Sequence, residues 1–254
     1  MKIISKLVFS INISIFIAII FLLIYFSIPL LREGVNPFGN WDIKKGEYGL
    51  LPMIISTLLM ATLATILAFI YSLAIALYFN LKRSLLIERL LLIFAFIPTI
   101  VYSLIGVVVV APFIANFGDF NIFNIFSASL ILSFLLTPTI TTFLIESFKG
   151  VKKEYLLQTL ALGGDEIDYQ LKVMLPLAKR DIFAALILGL ARGVGDTMVA
   201  LTLAGNSISI PKSIFDSGRS LTSHIPLQFA IDFDSIEFKS IYLSALVLLA
   251  ISLI

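Results

Sequence analysis

Six long apolar runs, at residues 7–31, 51–79, 86–115, 124–146, 182–205 and 238–254, occupy most of the 254-residue chain. Each can supply the roughly 20 apolar residues a helix needs to cross the hydrocarbon core. Inside lipid the backbone must bond to itself, which leaves helices or a closed barrel, and these runs lack the two-residue alternation of barrel strands. The expectation is an all-α integral membrane protein with about six transmembrane helices. Composition fits, with 59% hydrophobic and 13% charged residues, where soluble chains carry about 25% charged. The first run exceeds the roughly 7 to 15 apolar residues of a signal peptide, so it is read as a retained span.

Orientation follows from the basic residues. Lys2, Lys6, Lys82, Arg83, Arg89, Lys149, Lys152, Lys153, Lys172, Lys179 and Arg180 fall on one side, and Arg32, Lys44, Lys45, Lys212, Arg219 and Lys239 on the other. The positive-inside rule places both termini and the 147–181 loop in the cytoplasm, with loops 32–50, 116–123 and 206–237 outside. The chain stops at Ile254 within an apolar run and without a basic anchor, which suggests a truncated end.

A formal charge of +2 is too small to suggest nucleic-acid binding, and the absence of cysteine removes thiol nucleophiles and thiolate metal sites. His224 stands alone in a polar external loop and is expected to be solvated; Trp41 is expected at the membrane interface as an aromatic anchor. Pro98, Pro112 and Pro138 each remove a backbone donor within or near the end of a span, which favours kinks. Hydroxyls cluster beside them, at Thr99 and Ser103 and at Thr137, Thr139, Thr141 and Thr142, where they can satisfy freed carbonyls or neighbouring helices.

Span five carries the most unusual pair. Arg192 is about ten residues from either end, near the bilayer middle, where a charge costs roughly 2.5 to 3.5 kcal/mol on insertion scales. Asp196 follows four residues later, one turn along the same face of a continuous helix. Two readings stand: mutual neutralisation that holds helices together, or a guanidinium that meets a passing oxyanion while Asp196 orients it or accepts a hydrogen bond. Glycines at 189, 193 and 195 would allow close approach of a helix or substrate.

The loop between spans four and five is long, amphipathic and unable to cross. Glu154 begins a helix-forming stretch in which Leu156, Leu160 and Gly163 share a face, and Gly163-Gly164 offers a C-terminal cap. By composition it is equally an interfacial helix or a docking element for a soluble partner.

Spacing separates those two. Gly163 is followed by nine residues and then Val173, Met174, Leu175 and Pro176, which resembles the signature loop of ABC-importer permeases: Glu-Ala-Ala, three residues, Gly, nine residues, Ile, any residue, Leu-Pro. Leu157, Gln158 and Thr159 stand where that family has Glu-Ala-Ala. Further, Gly195-Asp196-Thr197-Met198, with Ala204-Gly205-Asn206 beyond it, resembles the Gly-Glu-Thr-Met segment of phosphate-specific permeases. Tyr48-Gly49-Leu50-Leu51-Pro52 and Ile97-Pro98-Thr99-Ile100-Val101-Tyr102 also resemble segments of that family, in its PstC-type subunit.

The resemblance implies a type I ABC-importer permease fold: an N-terminal helix and the start of an external loop in residues 1–40, and a core of about five helices in 41–254. It implies a transport subunit without catalytic residues or cofactor, set in the cytoplasmic (inner) membrane. Implied partners are a second, PstA-type permease, an ABC ATPase dimer and an extracytoplasmic phosphate-binding protein. Arg192 and Asp196, with Thr197 beside them, are expected in the substrate pathway from their place in span five, and the resemblance assigns Glu154, Leu157, Gln158, Thr159, Gly163, Val173, Leu175 and Pro176 to ATPase docking. No Gly-x-x-x-x-Gly-Lys-Ser/Thr segment occurs in the chain, as suits a subunit that leaves nucleotide binding to a partner. The alternatives are a permease for another oxyanion and a self-contained secondary transporter. The latter usually carries internal repeats and deep charges in both halves, whereas here no repeat is evident and the deep charges sit in span five.

Overall fold

The structure, a computed structural model, describes residues 2–252 except 117, 119 and 120. The expected ending at Ile254 and the middle of the 116–123 loop lie outside the described residues. The helices are α1 (Lys2–Arg32), α2 (Leu51–Lys82), α3 (Leu85–Phe96), α4 (Thr99–Ala115) and α5 (Ile125–Lys149). They continue with α6 (Lys153–Ala161), α7 (166–177), α8 (Lys179–Val194), α9 (Met198–Leu203), α10 (Leu221–Gln228) and α11 (Ile236–Ser252).

Among the described residues three helices are long and apolar enough to cross a membrane, within α1, α2 and α5, with a fourth where the bent pair α3/α4 is counted as one span. The expected six spans are therefore not six straight rods. The run 86–115 folds through 95° between Phe96 and Thr99. Pro98 cannot continue the helix, and the residue before a proline is driven to extended backbone, as Ile97 is at φ −65°, ψ 124°. Tyr102 Oη donates to Phe94 O across the bend at 2.8 Å, satisfying a carbonyl that the helix end leaves free. The run 182–205 divides into α8 and α9 at Gly195-Asp196-Thr197. Pro138, by contrast, stays inside an unbroken α5, where Thr142 donates to Pro138 O at 2.8 Å and Thr137 to Ser133 O at 2.7 Å.

The core is built on α2 against α5, with α8 packed across both. Ala61, Ala64, Thr65, Ala68, Ser72 and Ala76 make a buried small-residue stripe along α2. Without a hydrophobic effect between helices in lipid, such stripes favour association by allowing close packing and interhelical hydrogen bonds. Ser129 Oγ reaches Met60 O at 3.2 Å and Ser72 Oγ reaches Thr137 O at 3.1 Å. Gly189 serves the same end on α8: a Cβ there would sit 2.6 Å from Ile140 Cδ1 on α5. Gly195 makes no such contact with another helix.

A second cluster joins Leu30, Trp41, Leu50, Met53, Leu221 and Leu243, tying α1, α2, α10 and α11 to a small hairpin. Its strands Trp41–Asp42 and Glu47–Tyr48 pair antiparallel with Trp41 opposite Tyr48. Trp41 is therefore core rather than an interfacial anchor: it is 4% exposed, and its ring stacks edge-on against His224 with centroids 4.7 Å apart.

Candidate functional site

The break between α8 and α9 brings together most of what the sequence singles out for substrate. Arg192 occupies the last turn of α8, where the helix dipole favours a cation. Its side chain is exposed on the surface of the chain, and Nη1 donates to Thr139 Oγ1 of α5. The expected Arg192–Asp196 pair is not formed: among the described residues the two make no ion pair. The reason is local. The helix ends at Val194, so Asp196 is no longer one turn along the same face, and its Oδ2 instead accepts the Val199 N–H at 2.9 Å, opening α9. Asp196 is buried, its carbonyl accepts from Thr222 Oγ1 of α10 at 2.7 Å, and the Thr197 carbonyl accepts from Leu201 N–H at 2.8 Å. Asp196 and Thr197 thus shape the break, and Arg192 presents charge beside it. Thr139 as the guanidinium's partner was not singled out by sequence, although it lies in the hydroxyl-rich stretch around Pro138.

The loop that follows α5 forms a helical hairpin. Helix α6 ends in a Schellman turn: Gly163 N–H bonds Leu160 O at 3.0 Å, Gly164 N–H bonds Thr159 O at 3.0 Å, and Gly163 lies at φ +85°. The next helix opens with a capping box, Asp165 Oδ1 accepting Asp168 N–H at 2.7 Å and Asp168 Oδ2 accepting Asp165 N–H at 3.4 Å. It then passes through a π-helical stretch at Tyr169–Met174, which turns Tyr169, Gln170 and Met174 inward. Gln170 Nε2 donates to Leu77 O at 3.2 Å and Asn80 Nδ2 to Met174 Sδ at 3.4 Å, fastening the hairpin to the end of α2.

The eight loop residues named from sequence separate into two groups. Glu154, Leu157, Gln158, Gly163 and Pro176 are exposed, whereas Val173 and Leu175 pack on the main core and Thr159 is half-buried. Leu157, Leu160 and Leu162 form an uncovered apolar edge, with Leu162 89% exposed. Leu156 and Leu160 lie one turn apart on α6, and of the two only Leu156 packs against the main core.

His224 is not a solvated loop residue. It lies in α10, is 0% exposed, and bonds through Nε2 to Ser240 Oγ of α11 at 2.9 Å. Ser240 gives its own hydrogen to Glu237 O at 2.5 Å, so it accepts from His224, which places the proton on Nε2. Burial pushes the imidazole down to about 3, and the Arg219 guanidinium nearby acts in the same direction. Sequence gave no sign of this because α10 is short and its flanks are polar. A pH effect follows. The unfolded imidazole takes a proton near 6.5 and the folded one only near 3. Stability is therefore full above pH 6.5 and declines below it, by up to about 1.4 kcal/mol per pH unit. Thermal unfolding of the purified protein between pH 7 and about 4 is expected to show this decline, and His224→Asn is expected to flatten it.

Residues 68–254 match the family described as binding-protein-dependent transport system inner membrane component. The probable ABC transporter permease protein YqgH of Bacillus subtilis (strain 168) is 28% identical over 236 residues, covering 87% of this chain and 76% of that protein. The phosphate transport system permease protein PstC of Pasteurella multocida (strain Pm70) is 26% identical over 217 residues, covering 75% and 67%. The probable PstC of Methanocaldococcus jannaschii is 25% identical, covering 88% and 79%. Among solved structures, a chain of the MetNI methionine ABC transporter in inward facing conformations superposes with a TM-score of 0.59 over 80% of this chain and 94% of that chain, at 17% identity, and so shares its fold. A family match over most of the chain, a permease fold and several membrane-crossing helices agree: the chain belongs to the binding-protein-dependent transport system inner membrane components, the multi-pass permease subunits of ABC importers.

Proposed function

We propose that this permease subunit carries inorganic phosphate, forming half of a pathway whose other half is a PstA-type permease. An ABC ATPase dimer drives it from the cytoplasm and an extracytoplasmic phosphate-binding protein supplies it. The N-terminus and the α6/α7 hairpin are cytoplasmic, in line with the basic-residue bias. The observation that carries the reading is Arg192: a guanidinium at the end of a helix within an apolar run, held by a neutral hydroxyl on α5 and paired with no carboxylate among the described residues. A cation that makes no ion pair within an apolar run fits an anionic cargo, and its planar fork suits a phosphoryl group. The resemblance of this chain to PstC proteins supports the same cargo.

The α6/α7 hairpin is the ATPase-docking element in this reading. Its exposed edge, Leu157, Leu160 and Leu162, offers the apolar anchors that helix-in-groove recognition uses, while Val173 and Leu175 root it in the core. ATP is bound and hydrolysed on the partner.

Reconstitution tests the whole assignment. The purified chain alone in liposomes is expected to bind no ATP and to pass no phosphate under a proton or sodium gradient, whereas the chain with its second permease, ATPase and binding protein is expected to accumulate phosphate when ATP is supplied. Gradient-driven phosphate flux through the chain alone would replace this reading with a secondary transporter. ATP-driven accumulation of a different solute by the complete assembly would replace the cargo.

A further inference from the structure

A polar cavity of about 320 Å³ lies where the C-terminal ends of α2 and α5 meet the first turn of α6 and the buried side of α7. Its cationic lining is Arg83, Lys149 and Lys153, against the single carboxylate of Glu166. Lys149 is spoken for by Glu146 at 2.7 Å, an exposed pair of small energetic value. Arg83 and Lys153 make no ion pair among the described residues. Lys153 is moreover the first residue of α6, where the dipole disfavours a cation, and Lys152 at the N-cap supplies no side-chain hydrogen bond to the free N–H groups. Two exposed cations without ion-pair partners, an uncapped helix start and a half-open polar volume therefore converge, and an added anion would serve all three. The place in the fold restricts its source. The membrane-crossing helices α2 and α5 both end at this cavity, at the level where basic pockets between spans meet lipid headgroups.

We propose that this pocket binds a phosphate-bearing anion, from the headgroup of an anionic lipid or as free inorganic phosphate. Bound there, the anion bridges Arg83 at the end of α2 to Lys153 at the start of α6, and so fixes the hairpin against the spans. Binding stands independently of the cargo; that a fixed hairpin holds its leucine edge in place for the ATPase rests on the proposed function.

The test uses the full-length chain in neutral detergent and in an Arg192→Gln background, so that the proposed pathway cation cannot supply the phosphate response. Thermal unfolding is followed with phosphatidylglycerol, with phosphatidylcholine, and with sodium phosphate against sodium chloride of matched ionic strength. At saturation the anion is expected to raise the midpoint by about 5 °C above its neutral or chloride control. Arg83→Gln with Lys153→Gln should at least halve that rise, and Glu166→Gln, which removes the opposing carboxylate, should enlarge it. Lys44→Gln with Lys45→Gln, in the hairpin packed under α1 and α10, should leave it unchanged. A response to phosphatidylglycerol alone assigns the site to lipid, and a response to sodium phosphate assigns it to the free anion. No rise with either, or a rise that survives both the double variant and Glu166→Gln unaltered, overturns the proposal.

Discussion

Phosphate uptake by the assembled transporter is expected to fall roughly ten- to a hundredfold on Arg192→Gln, the range that loss of one hydrogen bond to a charged group implies, with the protein's abundance in the membrane unchanged. Glutamine keeps a polar amide at 192 but is two atoms shorter than arginine, so the charge, the fork and the reach to Thr139 Oγ1 are lost together. Arg192→Lys, which keeps the charge without the fork, should fall between. A charge swap with Asp196 is a poor control, because Asp196 accepts the Val199 N–H and an arginine at 196 would unmake the start of α9. Asp196→Asn is the better one: it keeps an acceptor for Val199, so uptake close to wild type would mark Asp196 as shaping the break, and a loss like that of Arg192→Gln would mark its charge as part of the pathway. Wild-type uptake with glutamine at 192 would mean that the guanidinium merely braces α8 on α5.

Much of this molecule was legible in sequence, for reasons that can be named. Apolar length is a direct record of bilayer thickness, and the runs containing α1, α2 and α5 became single helices of spanning length. The nine-residue interval from Gly163 to Val173 marked a hairpin whose cap is set by local backbone chemistry, and local chemistry is what a sequence encodes most plainly. Hydropathy could not show where a run breaks. Ile97-Pro98 and Gly195-Asp196-Thr197 lie inside apolar stretches, and the presence of a proline does not by itself tell whether the helix bends there. Pro138 is tolerated within α5, while Pro98 turns the chain through 95° with Tyr102 to hold the turn. Burial of polar residues was equally hidden. His224 and Trp41 lie 183 residues apart and meet only because α10 and the 41–48 hairpin are folded onto the same cluster. The absence of an ion pair between Arg192 and Asp196 follows from the break in the helix, since spacing of four residues implies contact only while the helix continues.

The Schellman turn at Gly163 sets up the other large effect. A Cβ at Gly163 would meet nothing within 4 Å, so substitution there meets no steric obstacle within this chain. The cost lies in the backbone: at φ +85° an L-residue other than Asn or Asp is strained by about 1 to 2 kcal/mol, and its relaxation would release the Thr159 and Leu160 carbonyls and swing α7 relative to α6. In the proposed transporter this moves the exposed leucine edge off its partner. Gly163→Ala and Gly163→Leu are therefore expected to reduce both ATPase association and transport to a similar degree, roughly five- to thirtyfold. Gly163→Asn should recover much of the loss, because asparagine also occupies this position in helix-terminating turns. Membrane insertion should be normal in all three, since the turn lies outside the spans. The relative order carries the information. Leucine far worse than alanine would place a partner's surface directly against Gly163, whereas asparagine as damaging as alanine would show that the turn's left-handed backbone is not what docking requires. Normal ATPase stoichiometry and transport in the leucine variant would remove the hairpin from the coupling role altogether.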